Sequence, residues 1–154
     1  MKKLKTNAIR ILDKEKIDYS MFSYPTDDGK IDGVSVARKI NKDPKSVYKT
    51  LISQGTTKAY YVFVIPVEKE LDLKKAAKTT GEKKIEMIPV KDITKVSGYI
   101  RGGCSPIGMK KNFTTYIDED AKSLSKIIVS GGSIGLQVEL HVNDLLNITN
   151  GYFF

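Results

Sequence analysis

Val47-Tyr48-Lys49-Thr50-Leu51-Ile52-Ser53, followed by Gln54-Gly55-Thr56-Thr57 and then by Ala59-Tyr60-Tyr61-Val62-Phe63-Val64-Ile65-Pro66-Val67, reads as one β-hairpin. Both arms are rich in β-branched and aromatic residues, and the Gly-containing link supplies the turn. In the first arm Val47, Lys49 and Leu51 share one face, while Tyr48, Thr50 and Ile52 share the other. Both faces are largely apolar, which predicts a strand covered on both sides, with a lysine on one of them. Working toward the N-terminus, Leu4, Ala8, Ile11 and Leu12 fall at helical spacing and predict a helix that ends before Asp18. Ile17, Tyr19 and Met21 alternate as a strand does, Asp27-Asp28-Gly29 is a turn, Val34 to Ile40 is a second helix and Asp43-Pro44 a second turn. Toward the C-terminus, Asp72 caps a helix over Leu73 to Thr80 that stops at Gly81. Ile85 to Ile88 is a short strand, Val90 to Val96 a short helix after Pro89, and Ser97 to Gly108 a glycine-rich connection. Thr114 to Ile117, Lys126 to Ser130 and Gly135 to Leu140 are strands, the last two joined by a tight turn at Gly131-Gly132-Ser133. Asn143 caps a closing helix through Asp144, Leu145, Leu146 and Ile148. Strands and helices intermix without a βαβ rhythm, so the expected class is α+β, a mixed sheet covered by helices.

A chain of 154 residues without repeat, linker or low-complexity segment is expected to form one domain over residues 1–154. Its 40% hydrophobic and 29% charged residues exclude a disordered chain, and no apolar run reaches the length of a membrane span. Met1-Lys2-Lys3-Leu4-Lys5 is basic but has no apolar core behind it, so no secretion signal is read and a cytoplasmic location is expected. The single cysteine, Cys104, fits a reducing compartment, and with the single histidine, His141, it leaves a structural zinc site short of ligands. The charge is the informative part of the composition. Twenty-six Lys and Arg against 18 Asp and Glu give +8, with pairs at Lys2-Lys3, Arg38-Lys39, Lys74-Lys75, Lys83-Lys84 and Lys110-Lys111. Such an excess draws polyanions to the surface, although it serves solubility equally well.

Three places could carry chemistry. Lys49 either sits where its ammonium reaches water along its own stem, or it lines a pocket and meets a ligand carbonyl or phosphate. Gly98-Tyr99-Ile100-Arg101-Gly102-Gly103-Cys104-Ser105-Pro106-Ile107-Gly108 can expose backbone amides to an oxygen, but it lacks the P-loop spacing. Val129-Ser130-Gly131-Gly132-Ser133-Ile134-Gly135-Leu136-Gln137 places a hydroxyl and two glycines at a strand end, without the spacing of a nucleophile elbow. His141 has no carboxylate beside it in sequence and reads as structural. Cys104 reads as an incidental buried thiol, since nothing near it but Arg101 would lower its pKa. Tyr48, Tyr60 and Tyr61 read as core residues.

Taken in order, Val47-Tyr48-Lys49-Thr50-Leu51, Leu71-Asp72-Leu73-Lys74-Lys75, the glycine run from Gly98 to Gly108, Thr115-Tyr116-Ile117-Asp118, Val129-Ser130-Gly131-Gly132 and Gly135-Leu136-Gln137-Val138-Glu139-Leu140 resemble the YbaK/EbsC family. Its members are freestanding relatives of the bacterial prolyl-tRNA synthetase editing domain, and the resemblance runs from Thr6 to about Leu146. It implies a barrel-like, curved mixed sheet covered by helices. It also implies hydrolysis of mischarged tRNA, with Cys-tRNA(Pro) the foremost substrate and Cys-tRNA(Cys) a second. Ala-tRNA(Pro) deacylation and a non-catalytic tRNA-binding or regulatory module are the competing readings. By the same resemblance, Lys49 matches the essential lysine, Tyr24 a pocket tyrosine, Gly102 the glycine whose backbone faces substrate, and Ser130 the pocket serine. Gln137 falls where relatives carry Asp or Gln, and Gly103 and Gly131 stand with Gly102 and Ser130 as substrate contacts. The implied partners are mischarged tRNA and prolyl-tRNA synthetase, not DNA or membrane, and no cofactor or metal is expected. The sequence departs from the pattern at Ile134, where a basic residue is often found, and at Ile31-Asp32, where some relatives carry Phe.

Overall fold

The computed structural model describes residues 5–154. Leu4 and the basic run before it lie outside the described residues. The first helix, α1 (Asn7–Lys14), starts on Thr6, whose hydroxyl oxygen accepts the Ile9 amide hydrogen at 3.1 Å. At this length a helix is marginal in water, so α1 forms because it buries Ala8, Ile9 and Leu12, each fully removed from solvent. Burial of Ile9 or Leu12 contributes about 1.5–3 kcal/mol relative to exposure. β1 (Tyr19–Ser23) follows, then α2 (Gly33–Lys39), whose first turn is capped by the Asp32 carboxylate accepting from the Ser35 amide.

The quoted hairpin is β2 (Tyr48–Gly55) and β3 (Tyr60–Pro66), paired antiparallel with Lys49 opposite Ile65 and Ile52 opposite Val62. Its turn is held from below by Glu82, whose carboxylate accepts from the Thr57 amide at 3.1 Å and from the Thr57 and Tyr61 hydroxyls at 2.6 Å each. These bonds hold the Glu82 carboxyl below its ordinary pKa. α3 (Leu73–Thr80) begins at Asp72 and ends at Gly81 in the left-handed conformation, as its sequence predicts. β4 (Ile85–Met87), α4 (Ile93–Ser97) after a 3₁₀ turn, β5 (Thr114–Ile117), β6 (Lys126–Ser133), β7 (Leu136–His141), α5 (Val142–Ile148) and β8 (Tyr152–Phe153) complete the order.

The strands form two sheets, one in the order β1-β7-β6 and one in the order β4-β2-β3-β5-β8. The first is antiparallel. The second mixes antiparallel β4-β2-β3 with parallel β3-β5-β8. A single parallel bridge between Val47 and Ile128 joins them, so the curved sheets approach a barrel without closing one. Their facing sides, with α1 and α5, enclose the main core around Tyr48, Val62, Val64, Ile117, Ile127, Val129 and Val138. No helix among the described residues is long and apolar enough to cross a membrane.

The structure corrects two local expectations. Gly131-Gly132-Ser133 is not the turn between β6 and β7. β6 continues to Ser133 through an irregularity after Ser130, with Gly132 at φ 97°, and the chain reverses at Ile134-Gly135. A β-bulge and a tight turn need the same residues, and only the partner strand distinguishes them. The closing helix begins one position before Asn143, with His141 in the cap position and no side-chain cap bond. β8 was not anticipated, because two residues carry no readable alternation.

Candidate active site

The two sheets part immediately beyond the Val47–Ile128 bridge. Val47 accepts from the Val67 amide, so with the strand register the main-chain groups of Lys49 and Leu51 also point to β3. Those of Tyr48, Thr50 and Ile52 point the other way. Ile52 meets the Ile88 amide at 3.2 Å, and β4 pairs only with residues from Ser53 to Gly55. Beyond the bridge, the edge at Thr50 is therefore left open toward β6. A cavity of about 150 Å³ occupies this opening. That is smaller than the roughly 300–1,000 Å³ of a drug-sized site, and it suits one small side chain or acyl group.

The structure brings Tyr24, Lys49, Gly102, Ser130 and Gln137 to the wall of this one cavity. Gly103 and Gly131 do not line it. A Cβ on Gly103 would lie 2.8 Å from the Ile134 nitrogen, and one on Gly131 would lie 2.7 Å from Leu136 Cγ, so both are places where chain packs on chain behind the wall. The side chain of Lys49 has no hydrogen bond and no ion pair with any described residue, and the residue is half-buried. An ammonium in that position awaits an oxygen. The Ser130 oxygen accepts from the Gly132 amide at 3.2 Å, which leaves its own hydrogen available to donate. Gln137 is buried between Phe22 and Ser130 on the neighbouring strands.

Among the described residues three buried hydroxyls have no hydrogen-bond partner: Tyr24 Oη, Tyr48 Oη and Thr50 Oγ1. All three residues line the cavity. Each such group costs about 1–3 kcal/mol when unsatisfied, so their clustering marks a site built for a polar occupant. Thr50 carries no sequence signal of this role, because threonine is ordinary in a strand. Another missed contributor is Lys39. Its ammonium donates to the Pro25 carbonyl at 2.7 Å, to Asp28 Oδ1 at 2.7 Å and to the Lys30 carbonyl at 2.9 Å, and lies 5.9 Å from the Tyr24 ring centre. It thus folds the loop from Tyr24 to Ile31, both wall residues, onto α2. The bond from Lys39 holds the Asp28 carboxyl below its ordinary 3.8, so the clamp is intact above that pH and is lost as pH falls through the lowered value. Lys39→Ala should reduce activity about ten-fold at neutral pH by misplacing this wall, read as kcat/KM beside limited proteolysis of residues 25–30.

The glycine segments are set by α1. Thr6 Oγ1 donates to the Gly131 carbonyl at 2.5 Å, and Asn7 Nδ2 donates to the Gly108 carbonyl at 2.6 Å. Gly102 has φ 85°, and a Cβ there would meet Ile31 Cδ1 at 2.8 Å and Ile134 Cγ1 at 3.5 Å. The two departures seen in the sequence, at Ile31 and Ile134, therefore converge on the same glycine and form an apolar lip.

Residues 32–148 match the family profile of the aminoacyl-tRNA editing domain. The chain belongs to this family. Across 97% of its length this editing domain is 45% identical to a protein of Enterococcus faecalis named EbsC, a candidate Cys-tRNA(Pro)/Cys-tRNA(Cys) deacylase, covering 91% of that protein. Its fold matches the crystal structure of a candidate trans-editing enzyme for prolyl-tRNA synthetase with a TM-score of 0.83 at 20% identity, over 99% of this chain and 97% of the other. A hypothetical protein gives a TM-score of 0.86 at 18% identity, over 96% and 97%. These two likenesses concern fold alone.

The lining of this editing domain is chemically lopsided. It contains one cation, Lys49, and among the described residues no carboxylate and no imidazole. His141 is exposed at the end of β7 and takes no part in the wall. Cys104 does line the cavity, but burial pushes its thiol up to about 11, against a smaller opposing effect of Ser97. At neutral pH it is a protonated, weakly nucleophilic group.

Proposed function

We propose that this chain is a trans-editing aminoacyl-tRNA deacylase that hydrolyses the ester of mischarged Cys-tRNA(Pro), with Cys-tRNA(Cys) as a second substrate. Membership of the editing-domain family and 45% identity to EbsC support a deacylase. One observation favours cysteine as the amino acid removed: the cavity wall holds neither a general base nor a reactive nucleophile among the described residues. Cysteine brings its own. In the proposed course the substrate thiol attacks its ester carbonyl as its proton leaves to solvent. The ribose hydroxyl departs with a proton, and the cyclic thiolactone so formed is opened by water to free cysteine. Lys49 binds the carbonyl or the terminal phosphate, and its charge favours the substrate thiolate. Gly102 and Ser130 hold the acyl group and face the developing oxyanion, where one placed donor typically supplies about 10²–10³ in rate. Tyr24 and Gln137 bound the pocket.

Such editing has a physical rationale. A synthetic pocket separates side chains differing by one methylene by only about 1–3 kcal/mol, so a second, hydrolytic site raises fidelity. The cavity does not span a tRNA, and selection of tRNA(Pro) is assigned to association with prolyl-tRNA synthetase in the cytoplasm.

The deciding experiment is parallel deacylation of Cys-tRNA(Pro), Ala-tRNA(Pro) and Ser-tRNA(Pro). Cysteine should be released at least about 100-fold faster than serine, whose hydroxyl is the poorer nucleophile. Equal rates would show that water attacks, and the alanine reading would replace this one. Cys104→Ser should retain activity within about three-fold, and a folded but inactive variant would return the nucleophile to the protein.

A further inference from the structure

From residue 93 to residue 117 the chain contains no Asp or Glu, yet it carries Lys95, Arg101, Lys110 and Lys111, all exposed. None of the four is ion-paired among the described residues. The fold ties Lys110 to Lys95 across Gly98 and sets Arg101 next to the cavity wall. The Lys110 amide donates to the Ser97 carbonyl at 3.0 Å, its side chain crosses Gly98, and its ammonium reaches the Lys95 carbonyl at 3.4 Å. The Gly103 amide closes a turn on the Ile100 carbonyl at 3.0 Å, which sets Arg101 beside Gly102, a residue of the cavity wall. Lys39 on α2, by contrast, is already engaged by Asp28. Uncompensated charge gathered on one rim repels itself and gains when a polyanion covers it.

We propose that Lys95, Arg101, Lys110 and Lys111 form the surface that carries the phosphates of the single-stranded 3′ end of tRNA to the cavity mouth. This rests on the reading of the substrate as aminoacyl-tRNA. Each phosphate contact to a single strand contributes about 0.7 to the salt dependence of log K, so three contacts contribute about 2.

The test is binding of uncharged tRNA(Pro) transcript to the full chain across a KCl series, which does not depend on ester cleavage. Arg101→Ala/Lys110→Ala/Lys111→Ala should lower the salt slope by about 2 and weaken binding roughly 100-fold near 0.1 M salt. Lys74→Ala/Lys78→Ala/Lys83→Ala removes the same charge from α3 and the segment after it, and should leave the slope unchanged. The single Arg101→Glu, which keeps Lys110 across Gly98, should lower the slope by about 1 and covers the case of a triple variant that folds poorly. Equal losses in both triple variants, an unaltered slope in the loop variants, or no binding by the wild type would each overturn the proposal. Loop-dependent binding by a wild type that cleaves no aminoacyl-tRNA would instead remove the deacylase reading and leave this surface standing.

Discussion

Lys49→Ala should lower kcat/KM for Cys-tRNA(Pro) by at least about 10²–10³, the scale of one placed electrostatic group in a water-poor site, while the protein unfolds at nearly the wild-type temperature. The two halves of this expectation have separate causes. The Lys49 side chain makes no hydrogen bond or ion pair with a described residue, so truncating it to Ala breaks no such bond in the folded chain. A substitution of that kind usually stays within about 0.5 kcal/mol. Its activity effect follows from its position as the one cation on a wall with no other charged side chain among the described residues. Lys49→Arg keeps the charge but spreads it over a planar fork, and in a cavity of about 150 Å³ it should restore little. A melt shifted by more than a few degrees would make Lys49 a structural residue, and retained activity would remove it from the site.

Gly103→Ala should have the largest effect on stability. The added Cβ would stand 2.8 Å from the Ile134 nitrogen, 2.9 Å from the Ser133 carbonyl carbon and 3.1 Å from Ser133 Cα. These are main-chain atoms at the end of β6, which cannot swing aside as the tip of a side chain can. Overpacking of this kind costs about 1–3 kcal/mol. At roughly 2–4 °C per kcal/mol for a chain of this size, the melting temperature should fall by about 2–12 °C. Activity should fall with it, because the segment from Gly102 to Gly103 is the part pushed off the cavity wall. Gly102→Ala offers the contrast. Its nearest neighbour is the flexible end of Ile31, so that variant should fold more readily, and its positive φ carries the strain. A Gly103→Ala protein as stable as wild type would show that the close approach of the two segments is not tight.

Much of the framework was legible in the sequence because it is set by near neighbours. The alternation in β2 and β3, the Asp72 cap and the Gly81 stop each depend on residues a few positions apart. Lys49 was legible for the same reason, as a charge interrupting a strand that is apolar on both sides. Gly131 and Gly132 misled because their conformational freedom serves a bulge as readily as a turn, and the choice lay with Leu136 and Gln137 on the partner strand. Thr50 and Lys39 were silent, since each takes its role from a segment it touches only after folding.

By itself, then, the sequence determined the strand faces, most helix ends, the basic excess and the family resemblance that directed attention to Lys49, Gly102 and Ser130. Only the tertiary structure decided that a cavity exists and which residues complete it. That cavity opens where β2 lacks a partner at Thr50, beyond the bridge to Ile128. Its glycine-rich wall is fixed by hydrogen bonds from Thr6 and Asn7, more than a hundred residues away in the chain. Periodicity records what a residue's neighbours along the chain require. A gap between two sheets is a property of how distant segments fail to meet, and no local pattern encodes it.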